Sequence, residues 1–138
     1  MNFQQLTAAD LMTENVLTIE ASETLRTAAR RLNDKHVHCL VVPPLRTGAC
    51  VGVITAKDIV QLLADGESSI LDELLVADAM STPAVSVQHA FAITDCLRLM
   101  RIAGVRSAPV LDGVRLVGLL SFTDVVRAAA LENLPAPA

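Results

Sequence analysis

One seven-residue pattern occurs twice in this chain. Residues 52–58 read Gly-Val-Ile-Thr-Ala-Lys-Asp and residues 118–124 read Gly-Leu-Leu-Ser-Phe-Thr-Asp, at an offset of 118 − 52 = 66. Each copy starts on Gly, runs through apolar residues to a hydroxyl, and ends on a carboxylate three residues later. An apolar segment follows each, residues 59–63 and 125–130. Self-similarity at this period means that two copies of one supersecondary unit build the chain. A hydroxyl followed three residues on by an acid, ahead of an apolar run, is a capping box at a strand–turn–helix junction. The cap leaves one carboxylate oxygen over. A carboxylate at the mouth of a strand can also accept two hydrogen bonds from a diol, such as that of a ribose.

The repeat extends in both directions. Ala9-Asp10-Leu11-Met12-Thr13 is answered by Ala77-Asp78-Ala79-Met80-Ser81 at an offset of 77 − 9 = 68, and extended pieces at 16–19 and 84–87 keep that offset. Two amphipathic helices follow, over 23–33 and 90–103. Ser22 is placed to cap the first, whose apolar face is Leu25, Ala28, Ala29 and Leu32. The second presents Ile93, Leu97 and Met100 and ends at Gly104. Strands are expected over 36–42 and 104–110, with Pro109 marking an edge or irregular pairing. Asp112-Gly113 signals a two-residue hairpin turn. The matching turn of the first half, 43–48, is longer and changes the offset from 68 to 66.

Each half therefore reads β-α-β-β-α. The expected organisation is an N-terminal lead-in and first repeat over 1–65, a connecting segment over 66–75 with a helical piece from Ile70, a second repeat over 76–130, and a tail over 131–138. Neither half has the residues for an independent core. An α+β (α/β) fold is expected in which the repeats pack sheet to sheet with pseudo-twofold symmetry.

Composition narrows the function classes. With 52% hydrophobic and 19% charged residues the chain is too apolar to be disordered. A net charge of −4 disfavours an extended nucleic-acid contact, and without Trp or Tyr bases cannot stack as single-strand binders stack them. No apolar run approaches the roughly 20 residues that cross a bilayer, and the first residues lack a signal-peptide pattern. No membrane contact and a cytoplasmic location are expected. Cys39, Cys50 and Cys96 fit neither a disulfide framework nor a zinc pattern and read as reduced, mostly buried small hydrophobes. Strand alternation would put His36 and His38 on one face and Cys39 on the other, at best a two-ligand set, so no metal is expected.

Together these residues resemble the cystathionine-β-synthase (CBS) domain, and the chain looks like one tandem pair, a stand-alone Bateman-type module. The resemblance spans about residues 7–130. It rests on Asp10-Leu11-Met12 and Asp78-Ala79-Met80, on Ala108-Pro109-Val110, and on the two Gly-to-Asp stretches. It implies a regulatory module that binds AMP, ADP, ATP or S-adenosylmethionine in two clefts, with no cofactor required. The implied ribose contacts are Thr55 with Asp58, and Ser121 with Asp124. Adenine would lie against Leu17 and Val37 in the Asp124 cleft and against Val85 and Val105 in the Asp58 cleft, with Val53 and Leu119 as apolar walls. His38 and Arg106 take the basic positions ahead of the middle strand, where family members meet phosphates. Where some nucleotide-binding members add an Arg, this chain has Cys39 and Ser107, which implies weak triphosphate binding. Lys57 partly substitutes in the first cleft, and Thr123 takes its place in the second. The second repeat is closer to the family pattern, so Asp124 is expected to be the stronger site.

The leading expectation is thus an adenine-ligand sensor that signals to an effector protein. The alternative is a structural dimerisation module with non-functional pockets. No nucleophile–base pair, phosphate-cradling Gly loop or metal set can be assembled, so an enzyme is not expected. A homodimer is, because Ala28, Leu32, Ile93, Leu97 and Met100 look like more apolar surface than one thin layer can bury.

Overall fold

Residues 2–131 are described by a computed structural model of the chain. A short 3-10 turn, Phe3–Gln5, leads into α1 (Ala8–Leu11), α2 (Leu25–Lys35), β1 (Cys39–Val42), β2 (Gly52–Thr55), α3 (Ala56–Asp65) and α4 (Ile70–Glu73). Then come α5 (Val76–Ala79), β3 (Val87–Gln88), α6 (Ile93–Ala103), β4 (Ser107–Asp112), β5 (Arg115–Ser121) and α7 (Phe122–Leu131). Of the tail expected over 131–138, Leu131 is the last residue of α7 and 132–138 lie outside the described residues.

The chain forms two compact units that cut across the repeats: one runs to Val16 and resumes at Val85, the other is Leu17–Ala84. In the second of these, β1 pairs antiparallel with β2, Cys39 opposite Thr55 and Val42 opposite Gly52. Parallel bridging at Thr18 and Val41 flanks β1, and Ser81 bridges Val53 beside β2. Ile19, Leu25, Ala28, Leu32, Leu40, Ile54, Leu71 and Val76 make its core. In the other unit, β4 pairs parallel with β3 and antiparallel with β5, and Thr13 bridges Leu119. Its core is Ala8, Val87, Ile93, Cys96, Met100, Ala108, Val110, Leu120 and Val125. The start of each repeat is thus docked on the closing strand of the other, Thr13 on β5 and Ser81 on β2.

That docking explains the Gly opening each motif. A Cβ on Gly118 would stand 2.5 Å from Met12 Sδ and 2.8 Å from its Cγ, and one on Gly52 would stand 3.1 Å from the Ser81 carbonyl oxygen and 3.3 Å from Met80 Sδ. A bare Cα lets the two segments approach so closely without displacing the Met12 side chain or the Ser81 carbonyl.

Several expectations change. Thr24, not Ser22, caps α2: its hydroxyl accepts from Thr27 N–H at 3.2 Å. Pairing of Thr24 with Leu75 holds it in the extended conformation an N-cap requires. His36 does not belong to a strand. It is the left-handed residue that closes α2, so β1 starts only at Cys39 and the shared face expected for His36 and His38 does not form.

Of the extended pieces, 16–19 contributes a bridge at Thr18 and 84–87 only the first residue of β3. Pro109 lies in a central strand, not at an edge, but pairing with β3 begins at Val110, just past the missing N–H. A register shift lies between Val110, opposite Gly118, and Leu111, opposite Leu116, with Val117 passed over. Asp112 pairs with Arg115, and the turn is Gly113-Val114 rather than Asp112-Gly113.

The apolar surplus expected on the helices is also corrected. Ala28, Leu32, Ile93 and Met100 are buried by the chain itself, and Leu97 packs against the same core as Ile93. What α6 leaves exposed is Leu99 and, at 81%, Ile102.

Candidate functional site

Alternation along the closing strands decides which motif residues leave the core. In β2, Gly52 and Ile54 are buried while Val53 and Thr55 are half-buried on the other face; in β5, Gly118 and Leu120 are buried while Leu119 and Ser121 are half-buried. The hydroxyl ends the strand and the helix starts at the next residue, so the carboxylate falls in the first helical turn. It favours the positive end of the helix dipole.

At the first motif, Asp58 Oδ2 accepts from Thr55 N–H at 2.8 Å and from Thr55 Oγ1 at 2.9 Å, while Thr55 Oγ1 accepts from Asp58 N–H at 3.2 Å. The capping box is complete. Asp58 Oδ1 has no hydrogen-bond partner among the described residues. Ala56 N–H donates to the His38 carbonyl at 2.9 Å, which brings exposed His38 beside the junction, and Lys57 is exposed there too. Cys39, opposite Thr55, is buried; burial first, and then the Asp58 charge, push its thiol up to about 12.

The second motif repeats the cap. Asp124 Oδ2 accepts from Ser121 N–H at 3.0 Å and Ser121 Oγ at 2.8 Å, and Ser121 Oγ accepts from Asp124 N–H at 3.3 Å. Phe122 N–H donates to the Arg106 carbonyl at 3.0 Å, placing exposed Arg106 as His38 is placed; Thr123 is exposed. One difference separates the two motifs. Asp124 Oδ1 accepts from Thr13 Oγ1 at 3.1 Å, with Arg127 Nη1 4.0 Å away. Ser81, which bridges Val53 as Thr13 bridges Leu119, makes no such bond to Asp58.

The unit of Asp58 thus brings together His38, Val53, Thr55 and Lys57, and also holds Leu17 and Val37, both packed on its core. The unit of Asp124 gathers Arg106, Leu119, Ser121 and Thr123, and holds half-buried Val85 and core-packed Val105.

The sequence reading missed Thr13. Its signal was present, because the repeated Ala-Asp-x-Met segment ends on a hydroxyl in both copies. The reading also missed that Asp10 and Asp78 are caps. Asp10 accepts from Thr7 N–H at 2.8 Å and Thr7 Oγ1 at 3.1 Å, and Asp78 from Leu75 N–H at 2.8 Å. Cap geometry by itself therefore does not single out Asp58 and Asp124. Among the described residues no three His, Cys, Asp or Glu side chains gather to hold a metal ion, and no helix is long and apolar enough to cross a membrane.

Two mixed α/β units, each holding one capped hydroxyl–Asp junction, define a tandem-repeat protein of helices and strands. The CBS-domain family profile matches residues 8–65 and 76–131, and the chain belongs to that family. The CBS domain-containing protein YhcV of Bacillus subtilis is 28% identical over 117 residues, covering 84% of this chain and 80% of its own. The fold superposes on a hexameric CBS-CP12 protein from bloom-forming cyanobacteria with a TM-score of 0.81 at 30% identity, covering 88% of this chain and 66% of that one. It superposes on CBSX2 in complex with AMP with a TM-score of 0.75 at 26% identity, covering 91% and 96%. The chain spans 63% of the length of the Methanopyrus kandleri protein MK0525, to which it is 22% identical over 126 residues.

Proposed function

We propose that this chain is a regulatory module that binds an adenine-containing ligand (AMP, ADP, ATP or S-adenosylmethionine) by its ribose and reports occupancy to a partner protein. The observation that carries this reading is the division of labour at Asp58. One oxygen completes the cap, and the other remains available to a diol beside the Thr55 hydroxyl, the apolar Val53 and the basic His38 and Lys57. The AMP bound by CBSX2, on a similar fold, supports the ligand class. The role is regulatory rather than catalytic and needs no cofactor. Ligand binding changes a partner's state only if the two states differ in affinity for it. A homo-oligomer belongs to this reading, because Leu99 and Ile102 leave apolar surface on α6 and the similar CBS-CP12 protein is hexameric.

A second reading is a structural module without ligand. It is favoured by the caps of Asp10 and Asp78, where an Asp in the first turn of a helix accepts from a backbone N–H outside the two motifs. Thermal melts separate the two. AMP, ADP, ATP or S-adenosylmethionine at millimolar concentration should raise the melting temperature by mass action, and GMP and CMP much less. A flat response to every adenine compound establishes the structural reading.

A further inference from the structure

The two motifs share one residue pattern and one cap geometry, yet only one has its second carboxylate oxygen occupied. Thr13 lies where the start of the first repeat docks on β5. Its N–H donates to the Leu119 carbonyl at 2.9 Å, and Leu119 N–H donates to the Thr13 carbonyl at 2.9 Å. Met12, packed over Gly118, leaves the segment little freedom to slide. The Thr13 side chain is thereby aimed at Asp124, whose side chain is only 10% exposed, and its hydroxyl donates to Oδ1. In the other unit the same backbone pairing is present, Val53 N–H to the Ser81 carbonyl at 3.0 Å and Ser81 N–H to the Val53 carbonyl at 2.9 Å. Ser81 nevertheless leaves Asp58 Oδ1 alone.

We infer that Thr13 is an internal competitor at the second motif: its hydroxyl takes one of the two acceptor positions on the Asp124 oxygen left by the cap, so a ribose diol that donates both hydroxyls to that oxygen must displace the Thr13–Asp124 bond. The inference rests on the reading of Asp124 as a ribose acceptor. A carboxylate that caps its helix through Oδ2 has one oxygen left for a ligand, and at Asp124 that oxygen already has a donor. A diol that donates both hydroxyls there must replace an existing hydrogen bond, whereas at Asp58 both bonds are new. Two consequences follow. The Asp58 motif fills first as ligand rises, and the Asp124 motif responds at higher concentration. Filling the second also frees the Thr13 side chain, so occupancy is felt by the segment from Thr7 to Thr13 that docks on β5.

Calorimetric titration with AMP tests this in two single-site backgrounds. Asp58→Ala leaves only the Asp124 motif, and Asp124→Ala only the Asp58 motif. Thr13→Val keeps the side chain's branching and volume and both backbone bonds to Leu119 but removes the donor. In the Asp58→Ala background it should tighten AMP binding about 3- to 10-fold. Thr13→Ser, which keeps a hydroxyl, should restore the parental affinity. In the Asp124→Ala background Thr13→Val should change nothing. Unchanged or weaker binding by Thr13→Val in the Asp58→Ala background overturns the inference while leaving the ribose reading intact. Absence of AMP binding by the parent and by both single-site proteins overturns the ribose reading, and the inference with it. Should Thr13→Val fail to fold, Thr13→Ala carries the same comparison.

Discussion

His36 closes α2 at φ 54°, ψ 43°, and Gly104 closes α6 at φ 71°, ψ 29°, so two residues at matching places in the repeats hold one left-handed conformation. The N–H that follows each turns back in the same way, Val37 to the Leu32 carbonyl at 3.1 Å and Val105 to the Met100 carbonyl at 3.0 Å. The conformation costs an L-residue about 1–2 kcal/mol and a glycine nothing, although glycine loses more freedom on folding. His36→Gly should therefore raise the unfolding free energy by about 0.5–1 kcal/mol, and Gly104→Ala should lower it by about 1–2 kcal/mol. Denaturant melts should show this as opposite midpoint shifts with unchanged slopes. A lower midpoint for His36→Gly would mean that the imidazole contributes something the backbone does not reveal.

The repeat made much of the architecture legible. The two motifs, the helices after them and the Gly104 terminus were all readable, because capping and left-handed termination are written in residues a few positions apart. What escaped depended on segments distant in sequence. Thr24 displaces Ser22 as cap because Leu75, fifty-one residues on by number (75 − 24 = 51), fixes its backbone. The hairpin turn falls at Gly113-Val114 because the ladder set from Ser107 and Ser121 onward, passing over Val117, carries Asp112 opposite Arg115. His36 could have been read from its match to Gly104, but residues other than glycine are uncommon in that conformation and the strand pattern of Val37 to Val42 extended over it. At the site, the hydroxyl–Asp pairs were legible as caps. The Thr13 contact was not, since it joins residues 111 apart.

Gly118 and Gly52 should respond differently to a methyl group. At Gly118 the new Cβ meets the Met12 side chain at 2.5 Å, and at Gly52 it meets a backbone oxygen at 3.1 Å. Gly118→Ala should cost about 1–3 kcal/mol as an overpacked contact. Trimming Met12 removes the clash, so Gly118→Ala with Met12→Ala should destabilise less than the sum of the single changes. Strict additivity in denaturant melts would place the strain elsewhere.

The thiols should react in two classes. Cys50 is exposed, whereas Cys39 and Cys96 are buried, and burial raises both buried thiols, Cys39 to about 12. The thiolate is the reactive form, so at pH 8 an alkylating reagent should modify Cys50 quickly and the other two only as fast as the chain opens. Mass spectrometry of the time course should show one early adduct, abolished by Cys50→Ser. A folded-state value above the unfolded one makes the Cys39 contribution to stability full below about pH 9 and lost as pH rises toward 12. Early labelling of all three in native protein would contradict the burial.

Arg26 forks onto Asp72, Nε to Oδ1 at 3.0 Å and Nη2 to Oδ2 at 2.9 Å, and Nη2 also donates to the Ser68 carbonyl at 3.1 Å. The hydrogen bonds from Arg26, with its charge, hold the Asp72 carboxyl below the usual carboxylate range. A depressed acid contributes stability above its unfolded value and loses it as pH falls through the folded one. Asp72→Asn should thus flatten the fall in stability below about pH 4. The pair is exposed and screened, so the difference should be small and should shrink in 1 M salt. Identical acid profiles for parent and Asp72→Asn at low salt would show that the fork contributes nothing.

Among the described residues four aspartates accept from the backbone N–H three residues earlier: Asp10, Asp58, Asp78 and Asp124. They provide an internal control for the proposed site. Replacing any of them by Ala removes a cap and should lower folding stability by about 1 kcal/mol. Only Asp58 and Asp124 should also lose ligand. Removing a charged acceptor of a ribose diol should weaken AMP binding at that motif roughly tenfold to a hundredfold. The order between the two motifs is informative. Pro109 and the Arg106 guanidinium favour Asp124, but its second oxygen already accepts from Thr13, whereas that of Asp58 is open. With Thr13 intact, Asp58→Ala should therefore remove the tighter phase of an AMP titration and Asp124→Ala the weaker one. With Thr13→Val the gap between the phases should narrow. If all four variants lose stability and none loses affinity, the repeated junction is a helix cap throughout and the ligand contacts lie elsewhere. If Asp10→Ala or Asp78→Ala weakens AMP as much as Asp58→Ala does, the loss reflects the fold and not the ribose.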